Sequence, residues 1–353
     1  MLAYRWVRRC LVGMAVVSLF GACTTSAAPS PRLPTPTTVP SSSPGASGPL
    51  PTAPAVAESA DLTYGATGAV TEPEQLDVYA PTKPGPWPVV VMFHGSGPSV
   101  SKTAYGVQAS HVAAEGFVVF VPNWGHLAGG TGVGVPTPAQ LEAFASEGAC
   151  AVAFARSHAI AYGGDPSSLI LFGHSAGANV AGSIAFTHPA PTAGCPGGTS
   201  LGPIQALVTW DGDWTLTDPS WDQPLAADPS RWAAETLMSR ITSDRTLKVV
   251  MLASGIVGGY VRDLSDPKVR DEFFKVRDAS GALRQQLEAI GALDDNAYDI
   301  QEIQQLFYTL LQAQGNPVTL TPLPGASHDS FGSGMQDEAM SVFVAAFKAA
   351  AGV

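Results

Sequence analysis

Charge is scarce in this chain, and basic charge scarcer still. Only 13% of its 353 residues are charged, with 18 Lys and Arg against 29 Asp and Glu, a formal net charge of −11. Three of the arginines, Arg5, Arg8 and Arg9, fall near the N-terminus, and no basic patch follows residue 32. A nucleic-acid or anionic-membrane surface needs clustered Lys and Arg, so the body of the chain offers neither. Metal-ligand spacing is missing as well. There is no CxxC pair and no HExxH, so no zinc site has support, and no organic cofactor is implied. A phosphate cradle fails on spacing too. The stretch PVVVMFHGSGPSVSKT, Pro88 to Thr103, ends in Lys-Thr, but the two glycine positions of G-x-x-x-x-G-K-[ST] hold Ser96 and Ser101. The apolar run nearest the N-terminus, LVGMAVVSLF, falls well short of the roughly 20 residues that cross a bilayer.

That short run has a different meaning in its context. A basic stretch, MLAYRWVRR, precedes it and the small residues GAC follow, which together read as an export signal over residues 1–23. Cys23 after Gly21-Ala22 resembles a bacterial lipobox, in which that cysteine is lipidated; Phe20 stands where such boxes usually carry Leu, so plain secretion is the alternative. Membrane contact is then expected only through this N-terminal anchor. Residues 24–58 are almost entirely Ser, Thr, Pro, Ala and Gly. Such a segment buries too little apolar surface to offset its ordering entropy, and is expected to be an extended tether. The remaining residues, 59–353, form the folded domain. They hold two cysteines, Cys150 and Cys195, and in an exported domain a pair is expected to form a disulfide.

From residue 74 apolar runs alternate with helical stretches. QLDVYA (75–80) alternates like a half-buried strand. PVVVMFH (88–94), FVVFVPNW (117–124), SLILFG (168–173), IQALVTW (204–210), LKVVMLASG (247–255) and PVTLTPL (317–323) are short, β-branched and nearly continuous, as strands covered on both faces are. Helical stretches lie at 101–114, 138–162, 176–187, 299–314 and 335–350. The pattern predicts an α/β fold with a mostly parallel sheet flanked by helices. Two long excursions, 211–246 and 256–293, read as lid-like insertions.

SLILFGHSAGANVAGSIAF places G-x-S-x-G (Gly173, His174, Ser175, Ala176, Gly177) between a predicted strand and a predicted helix. A nucleophile elbow needs that tight turn, with glycines where a side chain would clash, and the helix N-terminus offers its positive dipole end to a developing oxyanion. A lone G-x-S-x-G is common by chance; its context makes Ser175 the candidate nucleophile. A serine hydroxyl needs a base. Of seven histidines, His328 in PLPGASHDSF follows the last strand and precedes the last helix, at the same sheet edge as Ser175. His328 is the candidate base.

At this point the chain resembles the α/β-hydrolase family over roughly residues 70–350, and its carboxylesterase members of the hormone-sensitive-lipase or feruloyl-esterase-like kind. LDVYAP (76–81) and HAIAYGGDPSSLILFGHSAG (158–177) carry the likeness, while PNWG (122–125) departs from the usual NYR. The resemblance implies the order nucleophile, acid, His. GALDDNAYDIQEIQQLFYTLLQAQGNPVTLTPLPGASH is similar to the acid-bearing segment of esterase and prolyl-oligopeptidase-like members and makes Asp294 the first choice of acid. Asp295 is one step off, and Asp263, Asp266, Asp211 and Asp213 stay open, because nearly forty residues separate strand 247–255 from this motif. The HGSG loop resembles the family's oxyanion loop, which implies backbone donors at Gly95, Ser96 and Ala176. In such a fold Cys150 lies on the helix before the elbow strand and Cys195 after the helix that follows it, a plausible geometry for the bridge.

These readings converge on an exported serine hydrolase, a carboxylesterase acting on a small-molecule or polymeric ester. A peptidase or acyltransferase with the same triad is the alternative. A non-catalytic surface protein on the same fold is the third reading, since fold alone does not set function.

Overall fold

The computed structural model describes residues 55–65, 74–96, 100–125, 138–212, 214, 241, 245–256, 262–263, 297–298 and 300–353. The proposed signal, Cys23 and most of both long insertions lie outside these residues.

Eight strands form one sheet: β1 (Val56–Thr63), β2 (Gln75–Pro81), β3 (Trp87–Phe93), β4 (Val118–Pro122), β5 (Gly164–His174), β6 (Ala206–Trp210), β7 (Lys248–Ser254) and β8 (Val318–Leu323). Their order is β1-β2-β4-β3-β5-β6-β7-β8. β2 is antiparallel to both β1 and β4, and every pairing from β4 to β8 is parallel. Parallel strands need crossovers that cover both faces. The helices that do so are α1 (Gly106–Ala114), α2 (Pro138–His158), α3 (Ala176–Thr187), α4 (Ile300–Ala313) and α5 (Asp337–Ala351).

The continuous apolar strands divide residue by residue between two cores, as a side-chain period of two requires. Val89, Val91, Phe93, Leu169, Leu171, Val249 and Met251 face a cluster with Val180 and Ile184 of α3 and Phe307 of α4. Val90, Met92, Ile170, Phe172, Val250 and Leu252 face the other, with Val112 of α1 and Phe343 and Phe347 of α5. A two-residue ladder of Arg262–Asp263 with Ala297–Tyr298 stands apart.

After β3 the chain steps outward to β4, and then returns to the other side of β3 as β5. The carboxyl ends of β3 and β5 are therefore a topological switch point, where open parallel sheets leave a crevice. The loop after β3 and the turn after β5 both open there, and both carry residues singled out above.

Two expectations meet the structure differently. Cys150 of α2 is joined to Cys195, with Cα atoms 5.6 Å apart. The ordered sheet, however, begins at Val56, inside the stretch 24–58 read as tether. β1 is an edge strand whose burial does not alternate, so its composition conceals it.

Candidate active site

The turn from β5 into α3 is tight because both flanking glycines are needed. A Cβ on Gly177 would sit 2.3 Å from the His94 carbonyl oxygen, and one on Gly173 would sit 2.3 Å from the Gly177 oxygen. Ser175 itself adopts φ 53°, ψ −124°, a strained conformation for a residue with a side chain. Its N–H donates to Trp210 O at 3.1 Å, tying the elbow to the end of β6. Only 4% of Ser175 is exposed.

His328 follows β8 and reaches this turn. Its Nε2 lies 3.1 Å from Ser175 Oγ, and its Nδ1 lies 3.2 Å from Asp211 Oδ2. The acid that meets the imidazole is thus Asp211, the residue directly after β6. Asp294, the first choice from sequence, lies outside the described residues, as do Asp295, Asp266 and Asp213. Asp263 is placed in the small ladder. Parallel pairing explains how Asp211 gets there. β6, β7 and β8 end at neighbouring points of one edge, and the Asp211 N–H extends the ladder by donating to Leu252 O at 3.0 Å.

Asp211 is fully buried, and its carboxylate is met on both oxygens. The Ser254 N–H donates to Oδ1 at 2.8 Å, and the Ser254 hydroxyl donates to Oδ2. The Trp210 indole N–H in turn donates to Ser254 Oγ at 3.1 Å. A polar group buried this deeply is costly unless its atoms are hydrogen-bonded, and here both carboxylate oxygens are. Sequence reasoning missed Ser254 and Trp210; the TWDGDW stretch at the end of β6 was the available signal.

Of the three expected oxyanion donors, one is otherwise engaged. The Gly95 N–H donates to the Tyr105 hydroxyl at 3.1 Å, so the loop turns it away from the nucleophile. Ser96 and Ala176 are left. Ala176 is the first residue of α3, where backbone N–H groups lack intrahelical acceptors.

Behind the base lies His174, 1% exposed, its ring centroid 4.6 Å from that of His328. Burial, and then the neighbouring His328, hold His174 well below the ordinary imidazole value, so it stays neutral. Its Nδ1 meets the Tyr105 hydroxyl. Burial also pushes the Tyr105 phenol up, keeping it a proton donor. Among the described residues, His174, Asp211 and His328 are the one group of donors near enough to share a metal ion, with ligand atoms within 4.8 Å of one another. Each already has a hydrogen-bond partner: His174 meets Tyr105, Asp211 meets His328, and His328 meets Ser175 as well.

Comparison with known proteins follows the same lines. The family model BD-FAE, an esterase domain, matches residues 76–212, which take in the HGSG loop, Ser175 and Asp211. Esterase 2 of Thermogutta terrifontis, bound to butyrate, superposes with a TM-score of 0.53 at 17% identity, over 83% of this chain and 91% of that one. The same esterase in its native form gives 0.50 at 18% identity, over 78% and 87%. A truncated carbohydrate esterase from gut microbiota gives 0.52 at 16%, over 87% and 100%. The chain has the α/β-hydrolase fold. No curated protein matches this chain significantly in sequence. Within the fold, the turn bearing Ser175 ends β5, Asp211 follows β6 and His328 follows β8.

Proposed function

We propose that this α/β-hydrolase is an exported carboxylesterase that works through an acyl-enzyme on Ser175. The observation that carries the reading is the hydrogen-bonded chain from Ser175 Oγ through His328 to Asp211. Ser175 Oγ attacks the ester carbonyl while His328 Nε2 takes its proton. Asp211 accepts from Nδ1–H, fixing the tautomer and stabilising the imidazolium that forms. The tetrahedral oxyanion is met by the Ser96 and Ala176 N–H groups and the positive end of α3. His328 returns the proton to the departing alcohol, and water then repeats the sequence to release the acid.

The relatives support an ester substrate with a short acyl group, since the Thermogutta esterase binds propionate and butyrate and is phosphorylated by paraoxon. The Cys150–Cys195 bridge supports an oxidising compartment, and hence export by the N-terminal signal, with Cys23 as lipid anchor.

The test is to treat the full chain and Ser175→Ala with a fluorophosphonate probe and with p-nitrophenyl esters from acetate to palmitate. Wild type is expected to be labelled and to turn over the short esters, and the variant to do neither. Labelling without ester turnover would favour peptidase or acyl-transfer chemistry. Folded wild type that takes no label would leave only the binding-protein reading.

A further inference from the structure

We propose that Tyr105 is a positioning residue for the oxyanion loop: its hydroxyl accepts the Gly95 N–H and donates to His174 Nδ1, leaving the Ser96 N–H as the loop's donor to substrate. The inference rests on the reading of Ser175 as the nucleophile, and it assigns a role to a side chain that touches no reacting atom.

Tyr105 closes the 3₁₀ turn Lys102–Tyr105, and its ring is fully buried where three segments meet. The first is the oxyanion loop, reached through the 3.1 Å bond from Gly95 N. The second is the elbow, reached through His174, the residue before the nucleophile. The third is the loop carrying the base, because Phe331, three residues past His328, stacks on Tyr105 at 5.3 Å and 11°. A phenol has one proton and can accept as well as donate. With the Gly95 N–H pointing at Oη, that proton goes to His174 Nδ1. His174 is therefore the Nε2–H tautomer, a neutral ring packed at a tilt against His328.

The loop itself is held at successive main-chain atoms. The Trp124 indole N–H donates to His94 O at 3.0 Å, Gly95 N donates to Tyr105, and Gly95 O accepts from His94 Nδ1 at 2.7 Å. Fixing the Gly95 N and O orients the peptide plane that follows, whose N–H belongs to Ser96. The packing around Gly95 is close. A Cβ at Gly95 would lie 3.1 Å from His174 Nδ1, 3.2 Å from Ser175 Cβ and 3.3 Å from Tyr105 Oη. Loop, elbow and tyrosine are thus in mutual contact, and the hydroxyl is the polar link among them. Without it the Gly95 N–H loses this acceptor, and the peptide is free to turn.

The experiment compares the full chain with Tyr105→Phe, which keeps the ring and its stack on Phe331. Ester kinetics are read beside the Ki of an alkyl trifluoromethyl ketone, whose adduct with a serine carries an oxyanion. Expected is a fall in kcat on the order of tenfold to a hundredfold, below the cost of deleting a donor outright. KM should stay near the wild-type value and the ketone Ki should rise in step with the loss in kcat/KM. A general loss of structure would instead lower the melting temperature and move KM. Unchanged kcat and Ki in Tyr105→Phe would overturn the inference, as would a lower kcat with an unchanged Ki. If the variant fails to fold, ¹⁵N spectra of wild-type His174 decide: the Nε2–H tautomer is expected, and the Nδ1–H tautomer would sink the assignment. Wild type that turns over no ester and takes no fluorophosphonate would remove the serine-hydrolase reading, and this one with it; wild-type turnover beside an indifferent Tyr105→Phe removes only this one.

Discussion

Asp211 shows how a single residue can be set by its neighbours' backbone. Its N–H is committed to Leu252, its Oδ1 to the Ser254 N–H, and its Oδ2 to both the Ser254 hydroxyl and His328. It holds φ 43°, a left-handed conformation that Asp tolerates better than most residues. Asp211→Asn keeps the shape but offers His328 an amide in place of a charge, and the wrong imidazole tautomer becomes as favourable as the right one. We expect kcat for p-nitrophenyl butyrate to fall by about 10⁴, as removal of this charge does in other triads. Asp294→Asn should leave kcat unchanged. The reverse result from steady-state kinetics of the two variants would move the acid to the segment before α4. Sequence alone pointed to Ser175 and His328 because each stands in a local pattern, an elbow and a strand-loop-helix junction. The acid has no such pattern. TWDGDW and GALDDN are equally plausible by residue type, and only the register between β6 and β7 distinguishes them. Tyr105 was hidden for the same reason, since its role depends on a contact 69 residues away.

Elements are tied to one another by a buried lysine that reads in sequence as an ordinary helix start. Lys102 opens the 3₁₀ turn after the oxyanion loop and is 5% exposed. Its Nζ lies 2.5 Å from Asp77 Oδ1 on β2 and 2.8 Å from Asp61 Oδ1 on β1. Burial pulls the ammonium down, but the two carboxylates together hold it above its ordinary value. The partners are unequal: the Asp77 side chain is 3% exposed and that of Asp61 is 66%. Lys102→Met strands a carboxylate inside the protein and should cost about 3–5 kcal/mol, whereas Asp61→Ala should cost no more than about 1 kcal/mol. Urea melts of the two variants check the contrast, and equal losses would mean that burial is not what gives the pair its weight. At this scale the sequence was most informative for β3 to β7, whose apolar runs are nearly continuous and covered on both faces; β8, at the sheet edge, is buried only at Leu323. It was blind to β1, where VAESADLT is half polar and mostly exposed, so no period appears.

For the molecule as a whole, β1 connects the sheet edge to the site. It pairs antiparallel with β2 from Val56↔Pro81 to Thr63↔Gln75, with a register shift between Ser59 and Leu62. Tyr64, the next residue, is fully buried, and its hydroxyl donates to Asn123 O at 2.5 Å. Asn123 Oδ1 in turn accepts the Lys102 N–H at 2.8 Å, at the head of the turn that carries Tyr105. A cut before residue 55 leaves β1 whole, and the domain 55–353 should match the full chain in melting temperature and in kcat. A cut before residue 66 removes the ladder, exposes the β2 edge to other chains, and empties the space filled by Tyr64. Loss of that aromatic alone corresponds to about 3–5 kcal/mol, or roughly 10 °C in a domain of this size. The shorter domain should therefore melt at least that much lower, scatter light on warming, and lose ester turnover at temperatures where it is still folded, because the path from Tyr64 through Asn123 to Lys102 is broken. Differential scanning fluorimetry beside p-nitrophenyl butyrate kinetics separates the two effects. A 66–353 domain with full turnover below its melting point would mean that β1 supports the fold without reaching the oxyanion loop.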